Sequence, residues 1–160
     1  FFGMIPNFEP HLILPRLSGL CGRGDWLLVG ANLLPGGDPK SGSRTVLPQY
    51  DNPPTRAWLG LALADLGIEA KHGVLRFSTR IPRGGAALRI QASFHFTRER
   101  RVLLPTRQFT FHRGECLRVF FSDRHTPDGL TRLFQCRGFS LVEQWITASD
   151  EEGIFLLRRD

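Results

Sequence analysis

The residues Trp26-Leu27-Leu28-Val29-Gly30-Ala31-Asn32 form an unbroken apolar run directly after a turn, Arg23-Gly24-Asp25. A strand that lacks polar alternation is covered on both faces, and α/β folds meet that condition by packing helices on both sides of a parallel sheet. The run therefore predicts an α/β chain with this segment inside a sheet.

Its surroundings agree with that class. Residues 9–21 place Leu12, Ile13, Leu17, Leu20 and Cys21 on one stripe at helical spacing, with Pro10 suited to a first turn and Gly22 to a stop. Pro15 makes this helix short or kinked. Residues 35–44 are rich in Pro, Gly and Ser and predict an exposed loop. Thr55 to Leu66 reads as a helix with Thr55 as a possible cap and Gly67 as its end.

From residue 74 to 122 the hydrophobic period becomes two. Leu88–Phe96, Gln108–His112 and Cys116–Phe121 predict antiparallel strands with one wet face, and Arg113-Gly114-Glu115 predicts a hairpin turn between the last two. The chain then returns to a helix, with Thr126 as cap, Pro127 at its first position and Gly138 closing it. Two strands follow, Phe139 to Thr147 and Gly153 to Arg158, joined by the acidic turn Ser149-Asp150-Glu151-Glu152.

Several classes of function are disfavoured. The net charge of +6 comes almost wholly from arginine, but the arginines are scattered and no basic run interleaves with aromatics, so nucleic-acid binding is a minor alternative. No stretch approaches the ~18 apolar residues of a membrane span, and the N-terminus lacks signal-peptide features, so the sequence reads as soluble and cytoplasmic with no membrane partner. Cys21, Cys116 and Cys136 share no close spacing and read as buried or idle thiols. His95 and His112 are placed to face each other across neighbouring strands, but further ligands are lacking. These two and His125 are expected to be surface or hydrogen-bonded side chains, with no metal site.

Local motifs add a resemblance. Phe1-Phe2-Gly3-Met4-Ile5-Pro6-Asn7-Phe8-Glu9-Pro10 resembles the F-x-G-S-x-I-G-N-F-x-P loop of the histidine-specific N-alpha-methyltransferases known from ergothioneine biosynthesis. Gly24 to Leu33 is similar to that family's G-D-x-L-L-L-G-x-D-L strand, Tyr50-Asp51-Asn52 to its Y-D-D/N step, and Phe121 to Thr126 to its x-S-x-K-Y/F-T segment. The matches follow the family's order over nearly the whole chain.

The resemblance implies the C-terminal half of a class I methyltransferase Rossmann-like sheet carrying an inserted antiparallel α+β substrate domain. Residues 1–44 belong to the core, 45–122 form the insertion, and 123–160 return to the core as its last helix and terminal strand pair. The cofactor that the resemblance implies is S-adenosylmethionine. The glycine-rich loop and acidic residue that hold it lie N-terminal in this fold, and no Gly-x-Gly follows a strand here. The apolar opening residues read as a truncation, so the missing N-terminal half becomes a partner, and these 160 residues alone are expected to be inactive. The resemblance makes Gly3 and Met4 minor cofactor contacts.

For the small-molecule acceptor, an amino acid or related amine, the resemblance implies Asn7 on the amino-acid group, Tyr50 on the carboxylate and Ser122 on the side chain. Two positions depart from the pattern. Phe120 stands where histidine-specific members carry an acid, and Ala92 falls near a second pocket position and leaves more room. A phenyl ring cannot pair with an imidazole N–H, so a larger or more apolar acceptor, such as an aromatic amino acid, is expected. The alternatives are a catalytically inactive methyltransferase-like interaction module and a basic nucleic-acid binder.

Overall fold

The computed structural model describes residues 3–82 and 87–160. Phe1 and Phe2, which open the loop motif, lie outside the described residues. The chain forms two compact units: residues 1–45, 80–89 and 122–160 in the first, 46–79 and 90–121 in the second.

In the first unit a 3-10 turn (Ile5–Asn7) leads into α1 (Pro10–Leu20), with Pro10 at its start and Pro15 accommodated inside it. The apolar run becomes β1 (Trp26–Asn32). Near the end of the chain α4 (Pro127–Gln135) begins on Thr126, whose side chain accepts a hydrogen bond from the Gly129 N–H at 3.0 Å. It is followed by β7 (Phe139–Ile146) and β8 (Glu152–Arg159). The sheet order is β1-β8-β7, and β8 is antiparallel to both neighbours. The expected terminal strand pair is present and shares a sheet with the apolar run. β1 and β7 thus run in the same direction but are separated by β8, so they are not adjacent parallel strands.

One face of this sheet is closed. Val29, Ala31, Phe139, Phe155 and Leu157 pack with Leu14 and Leu17 of α1 and with Leu130 and Phe134 of α4. The other face differs from expectation. Trp26 and Trp145 are 57% and 47% exposed, and Leu28 and Ile154 are also open. The register Leu28↔Leu156, Gly30↔Ile154 and Trp145↔Ile154 puts these side chains on a common side. Among the described residues helices cover one face of β1, not two.

The Pro/Gly/Ser-rich stretch is also corrected. It turns at Gly36 and Gly37, both at positive φ, and then forms α2 (Pro39–Tyr50). The Asp38 carboxylate accepts from the Ser41 N–H at 2.8 Å, a capping bond that starts a helix in an otherwise poor helix-forming sequence. Val46 supplies the buried anchor.

In the second unit α3 (Pro53–Asp65) is capped by Asn52, which accepts from the Thr55 N–H at 3.0 Å; Thr55 lies inside the helix rather than capping it. Gly67 ends it at φ 71°. The strands that follow are β2 (Gly73–Arg80), β3 (Ala87–Phe96), of which residues 90–96 belong to this unit, β4 (Arg100–Leu103) and β5 (Gln108–Phe111). A fifth, β6 (Cys116–His125), pairs with β3 in the order β2-β3-β6, while β4 and β5 pair with each other. Gly114 does make a turn, at φ 92°, but it joins strands of different sheets and is not a β5/β6 hairpin. Nor does β3 have a wet face. As the middle strand it is buried at nearly every position. Leu63, Ile68, Phe94, Phe96 and Val102 form this unit's core, with the Phe111 ring stacked 4.6 Å from that of Phe96.

Cys116 and Cys136 are exposed and Cys21 is half-buried, so none is a core thiol. No group of metal ligands occurs among the described residues, and no helix among them is long and apolar enough to cross a membrane.

Candidate functional site

The strongest polar arrangement lies in the first unit and centres on Arg89. Its side chain is 4% exposed, and such a cation is stable in a protein interior when opposite charges satisfy its fork of donors. Arg89 Nε donates to Asp123 Oδ1 and Nη2 to Asp123 Oδ2, both at 2.7 Å. Nη1 donates to Glu9 Oε1 at 2.8 Å and Nη2 to Glu9 Oε2 at 2.9 Å. Each carboxylate is thus held bidentately. Hydrogen bonds to Asp123 raise the guanidinium pKa above its ordinary value, and those to Glu9 add to this against the cost of burial.

The clamp joins three distant stretches of sequence. Glu9 lies two residues after Asn7, Arg89 three before Ala92, and Asp123 directly after Ser122. The neighbouring Arg124 fixes the end of β6: its Nη1 donates to the Glu151 carbonyl at 3.2 Å and the Leu33 carbonyl at 3.4 Å. Leu33 and His125 form a parallel bridge, and the Leu34 N–H donates to the His125 carbonyl at 2.9 Å.

Beside the clamp lies His125, which is 3% exposed. Neither ring nitrogen has a hydrogen-bond partner among the described residues, contrary to the expected surface or hydrogen-bonded histidine. Burial holds its pKa below the usual 6.5; the Asp123 carboxylate opposes this and Arg89 adds to it. The native imidazole therefore resists a proton that the unfolded chain accepts. Its contribution to stability is complete above pH 6.5 and is lost as pH falls below that value. Urea titrations of the parent chain and His125→Phe are expected to diverge progressively as pH drops, with the variant less sensitive to acid. Parallel curves would show that His125 titrates alike in both states.

The residues proposed from sequence fall into both units. Asn7 ends the 3-10 turn, exposed, with its Nδ2 3.5 Å from the Gly3 carbonyl. Gly3 adopts φ 66° and its N–H donates to the Gly30 carbonyl at 3.0 Å. It borders a pocket of about 410 Å³ with Gly30, Asn32, Trp145 and Glu152; Met4 is exposed and does not line it. Ser122 is buried on β6. In the second unit the Tyr50 and Phe120 rings lie 5.7 Å apart at 36°, and Ala92 is fully buried.

Sequence reasoning passed over Glu9, Arg89 and Asp123 as parts of motifs. A signal was present, because Arg89 sits between Leu88 and Ile90 in a strand rich in apolar residues, and an arginine in a covered strand needs carboxylates. Which carboxylates was not legible.

The profile of a family described as histidine-specific methyltransferase, SAM-dependent, matches residues 3–159. The chain belongs to that family. The comparison with curated proteins returns no match. Among solved structures, this family member is similar to an S-adenosylmethionine-dependent methyltransferase from Clostridium acetobutylicum, at 9% identity and a TM-score of 0.37, over 91% of this chain and 49% of that one. It is also similar to the CcbJ methyltransferase from Streptomyces caelestis, at 14% identity and a TM-score of 0.33, over 92% of this chain and 51% of that one. The chain thus spans about half the length of each.

Proposed function

We propose that this family member is the acceptor-binding part of a cytoplasmic N-methyltransferase that acts on the amino group of an amino acid, with an aromatic amino acid favoured over histidine. What supports this is the family match over residues 3–159 together with the Phe120 ring, 5.7 Å from that of Tyr50, an apolar side chain where the resemblance implies an acid.

S-adenosylmethionine supplies the electrophilic methyl group of the family's reaction. The chain's own residues bind and orient the acceptor. The Asn7 carboxamide donates to the acceptor carboxylate and accepts from its nitrogen, the Tyr50 hydroxyl donates to the carboxylate, and the Ser122 hydroxyl meets the side chain. The Phe120 ring offers an apolar wall beside Tyr50, and Ala92 leaves space. Methylation requires loss of one ammonium proton, a free lone pair and exclusion of water, so positioning is the main contribution of these residues.

The open apolar face of β1 and β8 is proposed to receive the preceding half of the polypeptide, which carries the principal cofactor contacts. Exposed Trp26, Leu28, Trp145 and Ile154 on one side of the sheet suit an interaction surface. Gly3, on the rim of the 410 Å³ pocket, fits a backbone approach to the cofactor, whereas exposed Met4 makes a weaker case.

Isothermal titration tests both parts of the proposal. The 160 residues alone are expected to show no micromolar affinity for S-adenosylmethionine. The longer polypeptide is expected to bind tryptophan more tightly than histidine, and Phe120→Glu to reverse that order. Micromolar cofactor binding by the 160 residues overturns the first statement, and tighter histidine binding by the unaltered protein overturns the second.

A further inference from the structure

A pocket of about 670 Å³ opens in the first unit, with Arg89, Asp123, Glu9 and His125 among its lining and Arg80 and Arg132 beside them. Its volume is that of a small-molecule site. Pro10, Pro82 and Leu133 add apolar wall. None of Asn7, Tyr50, Ala92, Phe120 or Ser122 lines it, so this cavity is separate from the acceptor assignments and survives their failure.

Two features describe what would fill it. First, His125 is buried with both ring nitrogens unpartnered among the described residues, and an unmet buried donor and acceptor is a standing cost that a ligand group can remove. A hydroxyl suits a neutral imidazole because it can donate to one ring nitrogen or accept from an N–H. Second, Arg80 and Arg132 are exposed and make no ion pair among the described residues, while Glu9 and Asp123 are both engaged by Arg89. The lining therefore carries a net positive charge, presented by guanidinium forks that match a carboxylate.

We propose that this pocket binds a small organic acid bearing a hydroxyl group, its carboxylate on Arg80 and Arg132 and its hydroxyl on the buried imidazole of His125.

The test is calorimetric titration of the chain with 3-phenyllactate, 3-phenylpropanoate, which lacks the hydroxyl, and phenyllactamide, which lacks the charge. Phenyllactate is expected to bind about five- to tenfold more tightly than phenylpropanoate, the worth of one buried hydrogen bond. Phenyllactamide is expected not to bind. In His125→Phe, which fills the same space and needs no partner, the two acids should become equal. Arg80→Gln with Arg132→Gln should weaken both acids alike. The proposal is overturned if phenyllactate fails to bind at millimolar concentration. It is equally overturned if the hydroxyl preference persists in a folded His125→Phe variant, or if the double glutamine variant binds as tightly as the parent.

Discussion

Arg89→Met is expected to destabilise the chain by about 3–5 kcal/mol, the range for removing one member of a buried ion pair. The physical cause is less the lost attraction than what remains. The Asp123 side chain is 3% exposed and loses both of its forked donors, and Glu9, at 24%, loses two as well. Two carboxylates would then face each other in a poorly solvated site, and one must take a proton or draw in water. Urea unfolding at neutral pH measures the loss as a shift of midpoint at constant slope. Adding Asp123→Asn is expected to recover part of it by removing one stranded charge, an interaction that a double-mutant cycle isolates. A loss below about 1 kcal/mol for Arg89→Met alone would mean that the clamp behaves as a solvated surface pair.

Phe134→Ala is expected to cost a similar amount, about 3–5 kcal/mol, by a different mechanism. Phe134 projects from α4 with no exposed surface, and its ring meets that of Phe139 edge to face, 5.8 Å apart at 89°. Truncation removes the transfer energy of the ring and leaves a cavity beside Phe139 inside the unit's close-packed core. Leu133, next to it and only partly buried, is the control: its alanine variant should lose distinctly less. Thermal unfolding of the pair separates the two. Equal losses would show that α4 is not anchored through Phe134.

Much of the secondary structure was legible. α4 followed from Thr126, Pro127 and Gly138, and each acts as expected: cap, first helical residue and positive-φ stop. β1, β7 and β8 followed from apolar patterning. The errors have a common source. Composition read residues 35–44 as loop, but one carboxylate cap at Asp38 and one buried anchor at Val46 outweighed the run of poor helix formers. Period two read β3 as half-wet, whereas flanking strands and the core around Phe94 and Phe96 enclose it.

The candidate site divides in the same manner. Motif matching nominated Asn7, Tyr50 and Ser122 because they sit in short, ordered patterns. It left Arg89 unremarked because its meaning depends on Glu9, 80 positions away, and Asp123, 34 positions away. His125 was read as a wet or bonded side chain, since nothing local shows that the end of β6 is buried beside Leu33.

The sequence by itself determined α1, α4, β1, β7 and β8, and the family to which the chain is similar, because caps, turns and hydrophobic periods act over a few residues. Tertiary structure alone decided that β8 lies between β1 and β7, which sheet face stays open and which charges meet. Those outcomes depend on burial and on partners far apart in the chain, and the energy of a buried charge is set by the groups brought against it rather than by its neighbours in sequence.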